Sequence, residues 1–469
     1  MQVDVLETSG LVGTTVNFTV NFTMFTAPLT IVFQFIAIRE LLSQVSHSSR
    51  AFYRVSKNPN SWRYSTLSAT ARNCFAFQKL EDAVQHTPML RKLDLSGILF
   101  ARHCNFLVNA PTFIPRLESL DLSDNDLGVT GCLAVVETLK YVGELNSLNL
   151  GNNALGVLSF QIVADNLKNM SKLTTLKLYN NDSNESSYRV LAENLQHVPL
   201  LKWLDLSGNW RSNHRAPVGG IGESGCQSLA ENLKYLPLLE HFRLNFNRMN
   251  DIGCIYLAGS LQNVPLLKGL ALTSNLIGAA GIWVLAKNLK YIPLLENLEL
   301  DDNRITEAAC NELVENFKFV PQLTFLNLSY NGIGDIGCAV LANTLKYVPR
   351  LHSLKLCGTR ISSVGCFDLA ACLHYVPRLE RLWLQNNRIE DQGCVLLAER
   401  LYRVPDLREL SLSSNCISTS GCRRLITALT AHCTDMRQHL HTNGNNIDSM
   451  GPFSLARIEY VRPELKIVY

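Results

Sequence analysis

The chain has 469 residues, with 43 basic and 40 acidic side chains and a formal net charge of +3. This balance gives no electrostatic support for binding to nucleic acid. The hydrophobic content of 47% is enough for a large core and excludes a disordered chain. The 77 Leu and 40 Asn are unusual together, and they predict a structure with repeated apolar layers and repeated side-chain amide hydrogen bonds.

Residues 1–76 do not match the repeat that fills the rest of the chain. No charged residue lies between Glu7 and Arg39, and residues 11–38 form a candidate hydrophobic segment. Its length suits a membrane span, which needs about 20 apolar residues, but Asn, Gln and Thr side chains dilute it. We therefore expect an N-terminal cap or a poorly ordered leader. A membrane anchor through residues 11–38 is the alternative.

From residue 77 onward the sequence repeats itself, which predicts one repeat domain over residues 77–469. The pattern LxxLxLxxN recurs twelve times, with no more than one departure in any copy, and nine of the eleven steps between copies are 28 residues long. A thirteenth, degenerate copy spans residues 437–445, and residues 451–469 resemble a terminal half-repeat. The twelve copies begin at Leu90, Leu117, Leu145, Leu173, Leu201, Leu239, Leu267, Leu295, Leu323, Leu351, Leu379 and Leu407.

Each repeat combines two periods. The inner two Leu of LxxLxL alternate with other residues, which predicts a short strand with both Leu on one face. The second half, such as GCAVLANTLKYVPRL at 337–351, has apolar residues at helical spacing, and its Pro349 ends the helix. A strand and a helix cannot bury their apolar faces within 28 residues, so neighbouring repeats must stack. We predict an α/β solenoid of about 12–13 strand–turn–helix repeats with one parallel sheet.

Two further residue types recur at fixed positions, and we assign both to structure. The ninth position of the repeat is Asn in ten copies, where the amide can bond backbone groups left unpaired by the turn. Cys recurs at the start of nine helices, but Phe160, Tyr188 and Ile282 take the same position elsewhere. A position that accepts Phe, Tyr or Ile is an apolar packing position, which a free Cys also fills well. The Asn series is Asn125, Asn153, Asn181, Asn209, Asn247, Asn275, Asn303, Asn331, Asn387 and Asn415.

A repeat of 28 residues with a full helix and the phrases LxxLxLxxN and GCxxLAxxL resembles the ribonuclease-inhibitor-like class of leucine-rich repeat proteins. The resemblance covers about Phe77 to Tyr469. Within that class, the phrase LAENLKYLP at Leu229–Pro237 is most similar to the repeat arrays of NOD-like receptors. The resemblance implies a horseshoe with strands on the concave face and helices on the convex face. It also implies a cytoplasmic protein that binds a protein partner, with a role in innate-immune sensing or its regulation.

The sequence predicts no catalytic, cofactor-binding or metal-binding residues. The phosphate-binding pattern GxxxxGK[ST] is absent, as are HExxH, GxSxG and CxxC. We therefore expect a non-enzymatic scaffold with a protein partner and no nucleic acid. Two alternatives stay open: a GTPase activator, because the Ran GTPase-activating protein has similar repeats, and a membrane-tethered repeat protein.

The third, fifth and seventh positions of LxxLxLxxN should face away from the core, toward a partner. Most of these positions hold small or polar residues, so large side chains there are candidate interface anchors. The alternative is that they pack against each other as cross-strand pairs. An insertion at about 210–220 lengthens one loop and is either a binding loop or a tolerated insertion. The predicted partner-binding residues are Trp203, Asp205, Arg211, Arg215, His241, Arg243, Phe246, Glu299, Asp301, Phe325, Tyr330, Lys355, Arg381 and Trp383.

Overall fold

The computed structural model describes residues 90–97, 115–208, 220–427 and 440–446 with their side chains, and for residues 428–432, His439 and four further strands the backbone alone. The chain divides into two compact units, residues 1–220 and residues 221–469. Each unit consists of stacked repeats of the predicted kind.

The first unit contains three strands in antiparallel pairing, followed by a parallel array. Strand β1 pairs antiparallel with both β2 and β3, and β3 to β8 run parallel in chain order. Strand β3 joins the sheet next to β4, so the sheet extends N-terminal to residue 77, where the sequence predicted the repeats to begin. The strands are β1 (Val16–Met24), β2 (Ala27–Phe35), β3 (Ser65–Thr70), β4 (Lys92–Asp94), β5 (Ser119–Asp121), β6 (Ser147–Asn149), β7 (Thr175–Lys177) and β8 (Trp203–Asp205).

In the described part of the first unit, one helix follows each of the strands β5, β6 and β7. These helices are α1 (Gly128–Leu139), α2 (Gly156–Asn166) and α3 (Glu185–Asn194). In α2 and α3, Phe160 and Tyr188 occupy the position that Cys takes elsewhere. Their rings are buried and meet edge to face, with centroids 5.1 Å apart. This contact confirms that the position packs in the core.

In the described part of the second unit, nine parallel strands follow one another in chain order. Strand β16 comes from the degenerate repeat at 437–445, and β17 comes from the predicted terminal half-repeat, so both segments join the sheet. The strands are β9 (His241–Arg243), β10 (Gly269–Ala271), β11 (Asn297–Glu299), β12 (Phe325–Asn327), β13 (Ser353–Lys355), β14 (Arg381–Trp383), β15 (Glu409–Ser411), β16 (His439–His441) and β17 (Lys466–Val468).

Helices alternate with these strands. They are α4 (Gly222–Asn232), α5 (Asn250–Gly259), α6 (Ala279–Asn288), α7 (Glu307–Glu315), α8 (Gly334–Thr344), α9 (Ser363–Cys372), α10 (Asp391–Ala398) and α11 (Thr419–His432). Helix α8 ends at Thr344, and the next residue, Leu345, begins a 3-10 turn, Leu345–Tyr347. Pro349 follows this turn, as predicted, because it cannot continue a helix.

The core of each repeat lies between the strand and the helix. Leu326 and Leu328 are fully buried, whereas Phe325 and Asn327, which flank Leu326 in β12, are half-buried on the other face of the sheet. Three repeats earlier, Phe242 of β9 lines the same small internal cavity as Cys254 of α5. The predicted register is therefore confirmed, with the inner Leu facing the helices.

The Asn series holds successive turns together. Asn387 donates from its Nδ2 to the carbonyl oxygens of Leu356 (2.8 Å) and Leu384 (3.0 Å), and its Oδ1 accepts from the backbone N–H groups of Thr359 and Ile361 (both 3.0 Å). Asn331 and Asn415 make the same kind of donor contacts. Where the series is broken at Thr359, its hydroxyl donates to the carbonyl of Leu356 at 2.8 Å. The predicted structural role of the series is confirmed.

The recurring cysteines are free thiols in the core. Eight of the nine lie within the described residues, and all eight are buried. Cys338 donates from Sγ to the carbonyl oxygen of Gly365 in the next repeat, at 3.3 Å. Burial raises the pKa of Cys366 to about 12 and holds that of Cys338 well above its ordinary value, so both thiols stay neutral at physiological pH.

Several predictions concern residues outside the described part of the chain. The insertion at about 210–220, with Arg211 and Arg215, is among them, as are Asn209, Cys104 and most of residues 1–76. Within residues 11–38, the described parts form the strands β1 and β2. In the portion of the chain that the structure describes, no helix is both long enough and apolar enough to cross a bilayer.

Candidate functional site

The candidate site lies on the face of the second unit's sheet that points away from the helices, called here the open face. It carries the third, fifth and seventh positions of each repeat, together with the eighth position at the strand's carboxyl end. Predicted residues on β9, β11, β12, β13 and β14 all reach this face. Small residues on neighbouring strands leave the space that the large side chains fill.

An aromatic–cation cluster lies at the centre of the open face. Lys355 of β13 places its Nζ 3.6 Å from the ring centroid of Trp383 on β14 and 5.2 Å from that of Phe325 on β12. All three side chains are half-buried. Burial lowers the pKa of Lys355, opposed by nearby negative charge including that of Asp301 and Glu299. The predicted large residues therefore do pack across strands, as the alternative interpretation stated.

Tyr330 extends this cluster along the rim of the sheet. Its phenol oxygen accepts a hydrogen bond at 3.2 Å from Nδ2 of Asn386, two repeats further along. The ring crosses Gly358, where an added Cβ would lie 2.7 Å from Cδ1 of Tyr330. Tyr330 is 51% exposed and has a φ of +55°, a left-handed conformation that is costly for a bulky residue. Phe246, at the equivalent position, has a φ of +59° and is 37% exposed.

A second, charged group lies on the earlier strands. Ala271 is in register with Arg243 on one side and Glu299 on the other, so a small residue separates the two opposite charges. Burial raises the pKa of Glu299, and the positive charge of Arg243 opposes that shift. Burial also raises the pKa of Asp301, opposed by a 2.7 Å hydrogen bond that its Oδ1 accepts from Thr273.

His241 belongs to the same group. Its Nδ1 lies 2.7 Å from the position that a Cβ on Gly269 would take, so the imidazole lies over that glycine. Burial lowers the pKa of His241, with Glu240 opposing the shift. Small residues on β10 thus make room for both His241 and Arg243 on β9.

A slot of about 370 Å³ opens beside Trp383. Ser411 is in register with Trp383 on one side and with His441 on the other, so a small side chain lies between two rings. Glu409 lines one end of the slot; its carboxylate lies 3.9 Å from Nε of Arg381 and 4.0 Å from Nε2 of His441. The remaining lining residues are Gln385, Asn386, Ser413, Ser414 and Asn443.

The first unit carries two predicted residues, Trp203 and Asp205. Trp203 is half-buried, and Nζ of Lys177 lies 5.3 Å from its ring centroid. Asp205 is buried, and its Oδ1 accepts hydrogen bonds from the backbone N–H (3.1 Å) and hydroxyl (2.7 Å) of Ser207. This carboxylate is thus engaged inside its own turn.

Sequence reasoning did not single out Glu409, His441, Gln385 or Asn386. Glu409 and His441 occupy the third and fifth positions of their repeats, so the positional rule could have found them. Gln385 and Asn386 gave no signal by residue type, because Asn and Gln also occupy purely structural positions of the repeat.

Among the residues that the structure describes, no three His, Cys, Asp or Glu side chains come together as a metal site. The residues described above give the open face aromatic surface, charges of both signs and hydrogen-bonding groups. These are the groups with which a protein recognises a partner surface.

Comparisons with known proteins address the fold. A leucine-rich repeat family model matches residues 115–136, 321–342 and 405–425. A search of curated protein sequences found no match. Among solved structures, the yeast Rad7–Elc1 complex matches with 18% identity and a TM-score of 0.49, covering 92% of this chain and 98% of that chain.

An internalin from Listeria monocytogenes matches with 18% identity and a TM-score of 0.42, covering 76% of this chain and 82% of that chain. A TLR13–ssRNA13 complex matches with 15% identity and a TM-score of 0.39, and the match covers 84% of this chain and 59% of that chain. The 28-residue period, the parallel strands with alternating helices and the matching family model together show that the fold is an α/β leucine-rich repeat solenoid.

Proposed function

We propose that this protein is a non-enzymatic scaffold that binds a protein partner through the open face of its second unit. The observation that carries the proposal is the cluster of Phe325, Lys355 and Trp383. Its aromatic area and its charge lie on the face that the core does not use. Aromatic and basic side chains of this kind are the usual anchors of protein interfaces.

Several residues of this face are held in positions that cost the folded protein free energy, and this supports a binding role for the face. Glu299, Asp301 and Lys355 each have a pKa displaced by burial toward the uncharged form, so the fold holds three charges where their solvation is reduced. Tyr330 and Phe246 add unfavourable backbone conformations. Strain and buried charge of this kind accumulate where function requires them.

The balance of charges favours a protein over a nucleic acid. Arg243, Lys355 and Arg381 alternate on the open face with Glu299 and Glu409. A nucleic-acid site would need an excess of positive charge to neutralise phosphates. A mixed-charge face suits a protein surface with complementary charges.

The finer assignment rests on sequence resemblance. The phrase at Leu229–Pro237 supports a role in innate-immune sensing or its regulation, in the cytoplasm. The absence of the phosphate-binding and hydrolase patterns from the sequence supports a protein without catalytic activity. A GTPase turnover assay tests that point: acceleration of hydrolysis by substoichiometric protein would contradict it.

Site-specific photo-crosslinking tests the binding face. A photoreactive phenylalanine analogue is placed at Tyr330 on the open face or at Phe367 on helix α9, which have similar exposures of 51% and 47%. We expect the Tyr330 position to form one dominant protein adduct in cell extract and the Phe367 position to lack it. The reverse pattern, or nucleic acid as the adduct, would overturn the proposal.

A further inference from the structure

The dimensions of the slot between Trp383 and His441, and the side chains that line it, favour one chemical class of ligand. These residues are two strands apart, because Ser411 on β15 is in register with both. At the usual spacing of about 4.8 Å between strands, their backbones are about 9–10 Å apart. A flat group in van der Waals contact with a ring on each side needs about 7–8 Å, so the slot admits one planar group.

The end of the slot requires hydrogen-bond donors. Glu409 has its nearest cations, on Arg381 and His441, at 3.9 and 4.0 Å, which is beyond hydrogen-bonding distance. A carboxylate whose cationic neighbours lie beyond hydrogen-bonding distance favours a ligand that carries N–H groups.

We propose that this slot receives the guanidinium group of an arginine side chain from the partner protein. The inference rests on the proposed function, because it names the group by which the partner is recognised. A guanidinium is planar, stacks on aromatic rings and presents paired N–H donors that match a carboxylate. An ammonium group fits less well, since it is compact and cannot fill a flat slot. A neutral flat group would form no charge-assisted hydrogen bond with the Glu409 carboxylate.

The test uses argininamide as the probe and the full chain as the protein. The sequence has five Trp residues, so labelling Trp with 15N gives five indole N–H signals, and the Trp383→Phe variant assigns one of them. We expect argininamide to shift the Trp383 signal saturably. We expect citrullinamide, which has the same shape without the charge, and lysinamide to bind at least about tenfold more weakly.

Two variants locate the effect. Glu409→Gln keeps the shape of the side chain but removes its charge, and should weaken argininamide binding by about tenfold or more. Ser411→Leu fills the space beside Trp383 and should abolish binding. The other four indole signals report whether each variant is folded; if Ser411→Leu disturbs them, the Glu409→Gln variant alone decides the test.

The proposal is overturned if argininamide leaves the Trp383 signal unmoved in the folded protein, or if citrullinamide binds equally well. This outcome is separable from failure of the proposed function. Crosslinking at Tyr330 reports a partner on the open face, whatever group occupies the slot. An adduct there without argininamide binding would reject only the arginine assignment.

Discussion

Lys355 and Trp383 are in register on adjacent parallel strands, and the Lys355 Nζ lies 3.6 Å from the centre of the Trp383 ring. Neither side chain contributes to the Leu core, which lies on the other face of the sheet. A cation placed over an indole ring in a partly desolvated setting contributes about 1–2 kcal/mol. The contact therefore orders the open face without using the Leu core, and mutations on this face should affect stability less than mutations in the core.

The core prediction concerns Leu326. Replacing Leu326 by Ala removes a fully buried side chain from the interior of the second unit and should lower the free energy of unfolding by about 2–5 kcal/mol. Asn327→Ala, one residue along the strand and on the open face, should cost about 1 kcal/mol or less. Denaturant unfolding measures both variants. Equal losses would mean that the strand register is wrong.

The Asn series gives a second prediction about stability. Asn387→Ala leaves the backbone N–H groups of Thr359 and Ile361 without their acceptor, and should cost at least about 2 kcal/mol. The carbonyl groups that Asn387 also binds each keep a second donor, from Thr359 and Asn415. The neighbouring Asn386 is exposed, with a φ of +58°. Asn386→Gly keeps that conformation accessible and should change stability by about 1 kcal/mol or less. Thermal or denaturant unfolding of the two variants supplies the comparison. Similar losses of stability would contradict the structural role of Asn387.

The sequence predicted this core because the same pattern of residues recurs in every repeat. Leu326 and Asn303 occupy positions that hold the same residue type one repeat away on either side, so a single period fixes both burial and bonding. The slot could not be predicted in this way. It exists because Ser411 is small where Trp383 and His441 are large, and that relation joins residues 28–30 positions apart. The bridge from Tyr330 to Asn386 spans two repeats and crosses Gly358, so inspection of one repeat would not reveal it.

The cysteine prediction follows from burial. A thiol with a pKa of about 12, as in Cys254, Cys310 and Cys366, is ionised in only roughly one molecule in ten thousand at pH 8. Cys416 is exposed and should react first with iodoacetamide. Peptide mapping by mass spectrometry should find Cys366 modified only after denaturation. Modification of Cys366 in the native protein, at a rate near that of Cys416, would contradict the packing role.

The raised pKa of Glu299 predicts how the stability of the folded protein changes with pH. Burial raises the pKa of its carboxyl above the ordinary value of 4.5, so its protonated form is favoured in the folded protein. The stability that this group contributes is therefore fully present below pH 4.5 and is lost as the pH rises through the folded pKa. Glu299→Gln should be more stable than the parent protein at pH 7, and the difference should shrink as the pH falls toward 4.5. Unfolding measured across pH 4–8 tests this, and a difference that grows at acid pH would reverse the assignment.

The final prediction concerns binding itself, measured with the partner captured at Tyr330. Trp383→Ala removes the ring shared by the cluster and the slot, and Arg243→Ala removes a charge from the other end of the open face. As interface anchors, each should weaken partner binding by at least about tenfold, which is about 1.4 kcal/mol. Trp283→Ala is the matched control, because Trp283 is 49% exposed on helix α6 with Nζ of Lys287 at 3.3 Å from its ring centroid. It has the same aromatic–cation chemistry on the helical side of the unit and should leave affinity unchanged. If both open-face variants stay within about twofold of the parent protein while Trp283→Ala weakens binding, the partner binds on the helical side.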